Sequence, residues 1–147
     1  MTPSERARIV QECTQLIARF ALANDARDYE ALDAMFVEDG VFCRPTVPDQ
    51  PIRGRKTIVD GFRSRPANKL TRHVCTNVAV EVVSESEARA TSYIILYTAT
   101  VEEGAALPAK ADAKQLVGAF RDTIVRDTDG AWKFRERLGS LAMTLGG

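Results

Sequence analysis

The hydrophobic period of this chain changes once, and that change restricts its possible folds more than any other feature. Up to about residue 62 the apolar side chains recur at helical spacing, and from Thr71 onward they alternate. The opening "TPSE" sets Thr2 as an N-cap, Pro3 in the first helical position and Glu5 to close a capping box. Ile9, Val10, Cys13, Leu16, Ile17, Phe20, Ala21 and Asn24 then form the inner face of a long first helix. Asp28 starts a shorter one carrying Leu32 and Phe36, and "EDG" at 38–40 is expected to turn the chain into a strand "VFCR". After a proline-marked loop over 45–51, Gly54 breaks the chain and Ile58, Val59 and Phe62 predict a third short helix.

Beyond it, "TRHVCTNVAVEVVS", "EARATSYIILYTATV", "KQLVGAFRDTIVRDT" and "AWKFRERLGSLAMTL" read as long strands of β-branched and aromatic residues. Asp129 and Gly130 are a two-residue hairpin signal, and "EGAALPAKADA" is a longer, mobile hairpin loop. Helices grouped ahead of an antiparallel meander imply an α+β architecture with the helices in the curve of one bent sheet. No repeat, low-complexity tract or linker divides the chain, so residues 1–147 read as a single domain long enough to bury a core.

Twenty acidic and twenty basic residues leave no net charge, which removes the field that nucleic acid or an anionic membrane would need. Cys13, Cys43 and Cys75 are odd in number, far apart and in apolar surroundings, as expected of reduced cysteines. No apolar run approaches the roughly 20 residues that span a bilayer, and no leader is visible, so the expected location is cytoplasmic. One histidine and three scattered cysteines supply no metal set, and no "GxSxG" elbow or glycine-rich phosphate loop occurs. Arg53, Arg55, Lys56, Arg63 and Arg65 form a basic stretch, read as a solvated helix face or a dock for a phosphate or coenzyme A tail.

Two acids interrupt the helical pattern. Asp28 is explained as a cap. Asp25 is not, because it lies four residues after Ala21 on the inner face, at a helix end where the macrodipole disfavours an anion by roughly 0.3–1 kcal/mol. It either serves a local turn, pairs with Arg27 or another arginine, or meets the chain's only histidine. Strand alternation puts His73 on one face with Thr71, Cys75 and Asn77. An imidazole held by a carboxylate at one ring nitrogen keeps one tautomer and leaves the other nitrogen to accept a proton; an isolated one is an ordinary structural residue.

The ordering of "FALANDARDYEALDAMFVEDGVF", "IRGRKTI", "TRHVCTN" and "DGAWKFRER" resembles the SnoaL-like branch of the nuclear transport factor 2-like (NTF2-like) superfamily over nearly the whole chain. The resemblance implies a cone of curved antiparallel sheet, with N-terminal helices enclosing an apolar pocket. Scytalone dehydratase, bile-acid 7α-dehydratase and hexachlorocyclohexane dehydrochlorinase are similar in having a helix-end aspartate and a strand-start histidine that act as a proton-abstracting dyad. Those positions are Asp25 and His73 here, and the dehydrochlorinase's pocket arginine falls on Arg137. Two features depart from the wider superfamily. Phe20 stands where several relatives have a hydrogen-bonding tyrosine, and "VFCRP" lacks the carboxylate that ketosteroid isomerases place in the first strand.

The expected activity is therefore a cofactor-independent, dehydratase-like lyase or isomerase acting on a small apolar or cyclic substrate. Asn24, Tyr93, Arg121 and Arg137 are the candidate substrate-binding residues beside Asp25 and His73. Strand parity with Trp132 and Phe134 would turn Arg137 away from their layer unless a β-bulge intervenes. A polyketide cyclase needs a similar acid and base. A non-catalytic module, such as a ring-hydroxylating dioxygenase small subunit, would need no dyad. Apolar residues on both faces of "VAVEVV" and "SYIILY" predict a homodimer or homotrimer.

Overall fold

A computed structural model describes residues 1–147. Helix α1 runs over Pro3–Ala26 and opens with the expected capping box. The Thr2 hydroxyl accepts from the Glu5 N–H at 3.1 Å, while the Glu5 carboxylate accepts from the Thr2 N–H at 2.6 Å. Helix α2 (Tyr29–Ala34) is capped by the Asp28 carboxylate, which accepts from the Ala31 N–H at 3.1 Å. Helix α3 covers Arg55–Arg63.

Six strands form one curved, unclosed sheet. They are β1 (Phe36–Cys43), β2 (Ile52–Arg53), β3 (Lys69–Val82), β4 (Glu87–Thr100), β5 (Gln115–Arg126) and β6 (Trp132–Leu145), in the order β2-β1-β6-β5-β4-β3. Four of the five pairings are antiparallel, but β1 lies parallel to β6. The sheet is thus not wholly antiparallel, because β1 and β6 are far apart in the chain and no hairpin dictates their sense.

"EDG" does not reverse the chain. Glu38, Asp39 and Gly40 lie inside β1, whose register against β6 jumps from Phe36↔Phe134 to Val41↔Glu136. Turn-forming residues flanked by two segments that pair with the same strand produce an irregularity rather than a turn. At the last hairpin the Asp127 N–H donates to the Ala131 carbonyl and the Gly130 N–H to the Asp127 carbonyl, each at 2.8 Å. That makes Thr128, Asp129 and Gly130 a three-residue loop, with Gly130 at φ 83 taking the left-handed position, in place of the expected two-residue loop.

Two further bulges decide which side chains face the helices. In β3 the register shifts between Thr76 and Ala79, where Asn77 adopts φ 54. Thr71, His73 and Cys75 face the helices up to that point and Val78, Val80 and Val82 after it, so exposed Asn77 leaves the face that alternation assigned to it. In β6, Arg135 is the extra residue, since Ile124 pairs with Phe134 but Thr123 pairs with Glu136. Phe134 and Arg137 consequently share the inner face.

The helices cover that face. Phe20 of α1 sits edge-on to Phe36, Phe120 and Phe134 and tilted against Phe42, with ring centroids 5.7–6.4 Å away. All five rings are at most 4 % exposed. Burying each is worth about 1.5–3 kcal/mol, which makes this cluster the anchor between α1 and the sheet.

Candidate active site

The end of α1 is pinned to the start of β3. Arg27 closes the helix in a left-handed conformation (φ 57, ψ 36), and its guanidinium donates to the carbonyls of Arg65 (3.2 Å), Pro66 (2.7 Å) and Lys69 (2.7 Å). Arg27 is therefore committed to backbone carbonyls rather than to Asp25. Two residues back, the Asp25 carboxylate accepts from the Thr71 hydroxyl at 2.9 Å, from the His73 backbone N–H at 2.9 Å and from His73 Nδ1 at 2.6 Å. Burial pushes the Asp25 carboxyl upward. The hydrogen bonds from the His73 ring and backbone, the attraction of the imidazolium charge and the Thr71 hydroxyl outweigh it and hold the group below the ordinary aspartate value.

An ionised Asp25 makes Nδ1 the protonated ring nitrogen and Nε2 the acceptor. Nε2 makes no hydrogen bond within the protein. His73 lines a cavity of about 450 Å³, whereas Asp25 lies behind the ring, and the two side chains are 16 % and 11 % exposed. Phe20, Phe42, Phe120 and Arg137 are the buried end of this cavity, Ile94, Leu96, Leu116 and Leu141 its sheet wall, and Thr46, Ser64 and Pro66 its solvent side.

Arg137 is 1 % exposed. Its Nη1 donates to Asp122 at 2.7 Å, and its guanidinium carbon lies 3.9 Å from the Phe120 ring centre, 4.6 Å from Phe20 and 4.7 Å from Phe134. Its Nε is buried without an acceptor, and the second Asp122 oxygen is buried without a donor. Burial raises the Asp122 carboxyl to about 6 against the pull of Arg137, and lowers Arg137 against the pull of Asp122. Three aromatic faces and one carboxylate hold the cation, and the remaining donors have no partner in the protein.

Of the residues singled out from sequence, Asp25, His73, Asn24 and Arg137 come together around one cavity. Tyr93 and Arg121 do not. Tyr93 pairs with Thr76 and Ala119 on the outer face and is 56 % exposed, and Arg121 is exposed opposite Thr91 and Leu138. Strand alternation separates Arg121 from its inward neighbours Phe120 and Asp122.

Pattern reading missed Thr71, Arg65, Asp122 and Arg44. Thr71 shares the parity of His73, a signal that was present. Arg65 donates to Asn24 Oδ1 (2.9 Å), the Asn24 carbonyl (2.6 Å) and Thr71 Oγ1 (3.2 Å), buttressing the two residues beside the pair. Its neighbours in the basic stretch are engaged elsewhere: Arg55 with Asp33, Lys56 with Asp60, and Arg63 over the Tyr29 ring. No three His, Cys, Asp or Glu side chains converge into a ligand set.

Solved structures share this architecture. A provisionally named scytalone dehydratase of Novosphingobium aromaticivorans superposes with a TM-score of 0.79 at 23 % identity, covering 99 % of this chain and 92 % of its own. A type 2 hexachlorocyclohexane dehydrochlorinase matches at 0.79 and 16 % identity, over 97 % and 91 % of the two chains. ActVI-ORFA of Streptomyces coelicolor matches at 0.71 and 22 %, over 91 % and 97 %. At these identities the likeness is one of fold, the NTF2-like fold. No curated protein matches the chain. The sequence profile of the SnoaL-like domain does match, over residues 5–138, a span reaching from the first turn of α1 past Arg137 and including both halves of the Asp25–His73 contact; the chain belongs to the SnoaL-like domain family.

Proposed function

We propose that this protein is a cofactor-independent, dehydratase-like lyase or isomerase in which His73 removes a proton from carbon. The observation that carries the reading is the 2.6 Å contact from His73 Nδ1 to a half-buried, ionised Asp25, with Nε2 unpartnered and the ring on a largely apolar cavity. A histidine sealed away from the cavity would have favoured a binding module without chemistry. The names of two fold neighbours, a dehydratase and a dehydrochlorinase, support elimination as the reaction class.

In a dehydration, Nε2 takes the proton from one carbon and the freed electron pair becomes the new double bond. The C–O bond on the adjacent carbon breaks, and the departing hydroxide takes the proton back from the imidazolium. The products are an alkene and water, and the base is neutral again. Asp25 holds the imidazole in its accepting tautomer and stabilises the imidazolium. Arg137, which lines the cavity and has an unpartnered Nε, is assigned to the leaving group or a developing oxyanion. Asn24 is assigned to substrate contact and to holding Arg65. An isomerase would use the same base, returning the proton to a different carbon.

The test is turnover of hydroxy-ketones, hydroxyacyl thioesters and halogenated alicyclic compounds by wild type, His73→Ala and Asp25→Asn. A compound turned over by wild type should be processed about 10²–10⁴-fold more slowly by His73→Ala, with Asp25→Asn also impaired. Equal rates in all three proteins would remove the proposed base. We also assign the outer sheet face, where Val74, Tyr93 and Tyr97 are exposed, to contact with further copies of the chain.

A further inference from the structure

The cavity walls carry charge of one sign only. Three arginines, Arg44, Arg65 and Arg137, line it, and no aspartate or glutamate does. Arg137 is neutralised by Asp122 at 2.7 Å. The other two have no carboxylate in ion-pair contact, and Asp25 acts on Arg65 only from a greater distance. Arg65 is fixed by neutral acceptors, the Asn24 side chain and carbonyl and the Thr71 hydroxyl, and its Nε is buried with no acceptor. The side chain of Arg44, the residue after β1, makes no hydrogen bond or ion pair in the protein, although its carbonyl accepts from the Val47 N–H at 3.0 Å.

Arg44 nevertheless has a place made for it. Its Nη2 lies where a side chain at Gly61 would begin, 2.9 Å from an ideal Cβ. Gly61 sits inside helix α3 without a positive φ, so the helix itself gains nothing from a glycine there. The missing side chain is explained by the guanidinium crossing that spot. Both unneutralised cations therefore border the last turn of α3, beside Phe62 and Ser64, on the same cavity as His73.

We infer that the cavity takes a substrate carrying a carboxylate, which Arg44 and Arg65 hold near the end of α3 while the reacting carbon lies toward His73. Apolar walls concentrate the field of unneutralised cations, and a guanidinium matches a carboxylate through two parallel hydrogen bonds. A pre-fixed Arg65 loses little freedom on binding, and the unpartnered Arg44 guanidinium is available to the second oxygen. The inference rests on reading this cavity as the substrate site, and it is independent of whether His73 is a base.

Calorimetric titration with 2-naphthoate and its neutral counterpart 2-naphthamide at low salt tests it, with 2-naphthyl phosphate as a third probe. Wild type should prefer naphthoate over naphthamide by about tenfold or more, equivalent to about 1.4 kcal/mol. The preference should shrink severalfold in Arg44→Gln and in Arg65→Gln, and weaken as salt is added. Arg44 has no partner in the fold, so its variant remains informative if Arg65→Gln is unstable. Equal affinity for the two naphthalenes, no measurable naphthoate binding, or a preference unchanged in Arg44→Gln would overturn the inference. A phosphate bound more tightly than the carboxylate, with the same arginine dependence, would overturn the choice of carboxylate. Since binding is read without turnover, a carboxylate preference alongside equal turnover by wild type, His73→Ala and Asp25→Asn would leave this inference standing and the dyad reading fallen.

Discussion

Asp25 has three donors on one carboxylate, and the consequence is a pH dependence of known sign. Its folded-state value is depressed relative to about 3.9 for an unfolded aspartate. The group therefore contributes stability that is fully present above the unfolded value and is lost as pH falls through the folded one. Thermal melts of wild type and Asp25→Asn should differ at pH 7, and that gap should close below about pH 4. A gap that stayed constant to pH 2.5 would show that the carboxylate's charge is not what the three donors recognise. Arg137 and Asp122 follow different logic. Both are almost completely buried, each has an orphaned atom, and an apolar pair of similar size would be cheaper to bury. A charge retained at that cost beside an apolar cavity is what a site for a developing negative charge would require.

At the scale of elements, the interruptions inform as much as the regular stretches. Gly61 gives the sharpest test, because glycine inside a helix costs about 0.5–1 kcal/mol relative to alanine. The only obstacle within 3 Å of an added Cβ is the flexible end of Arg44. Gly61→Ala should raise the melting temperature by the equivalent of about 0.5–1 kcal/mol, and a fall would show that the space serves the fold. The helices were legible in the chain because caps and the 3.6 period are local: Thr2, Glu5 and Asp28 perform the roles that pattern assigned to them. The four long strands were equally plain, but β2 was not foreseen and β1 begins at Phe36, a residue that the helical period had placed in the second helix. The bulges at Asn77 and Arg135 were not plain either, since a bulge is a mismatch between two strands and neither strand alone records it. Asn77 was thus placed on the wrong face, and Arg137 came inward only through the extra residue before it.

On the scale of the whole molecule, no helix is long and apolar enough to cross a membrane, and the exposed large apolar side chains include Val74, Tyr93 and Tyr97 on the sheet as well as Leu22 on α1 and Leu107 in the loop after β4. If the outer face meets further copies, light scattering at micromolar concentration should report a dimer or trimer, and Tyr93→Glu should shift it toward monomer. A wild-type monomer under those conditions would contradict that assignment. The linear order of residues was sufficient for the element types, the α+β class and the suspicion attached to Asp25, because periodicity, capping and a misplaced charge are all properties of neighbours along a chain. The meeting of Asp25 with His73, 48 positions away, is of another kind. It required Arg27 to tie the end of α1 to the carbonyls leading into β3, and the parallel seating of β1 on β6 to complete the hollow. Likewise Tyr93 and Arg121 turned outward and Arg137 inward according to strand registers, which arise from packing between segments and so have no counterpart in any single segment.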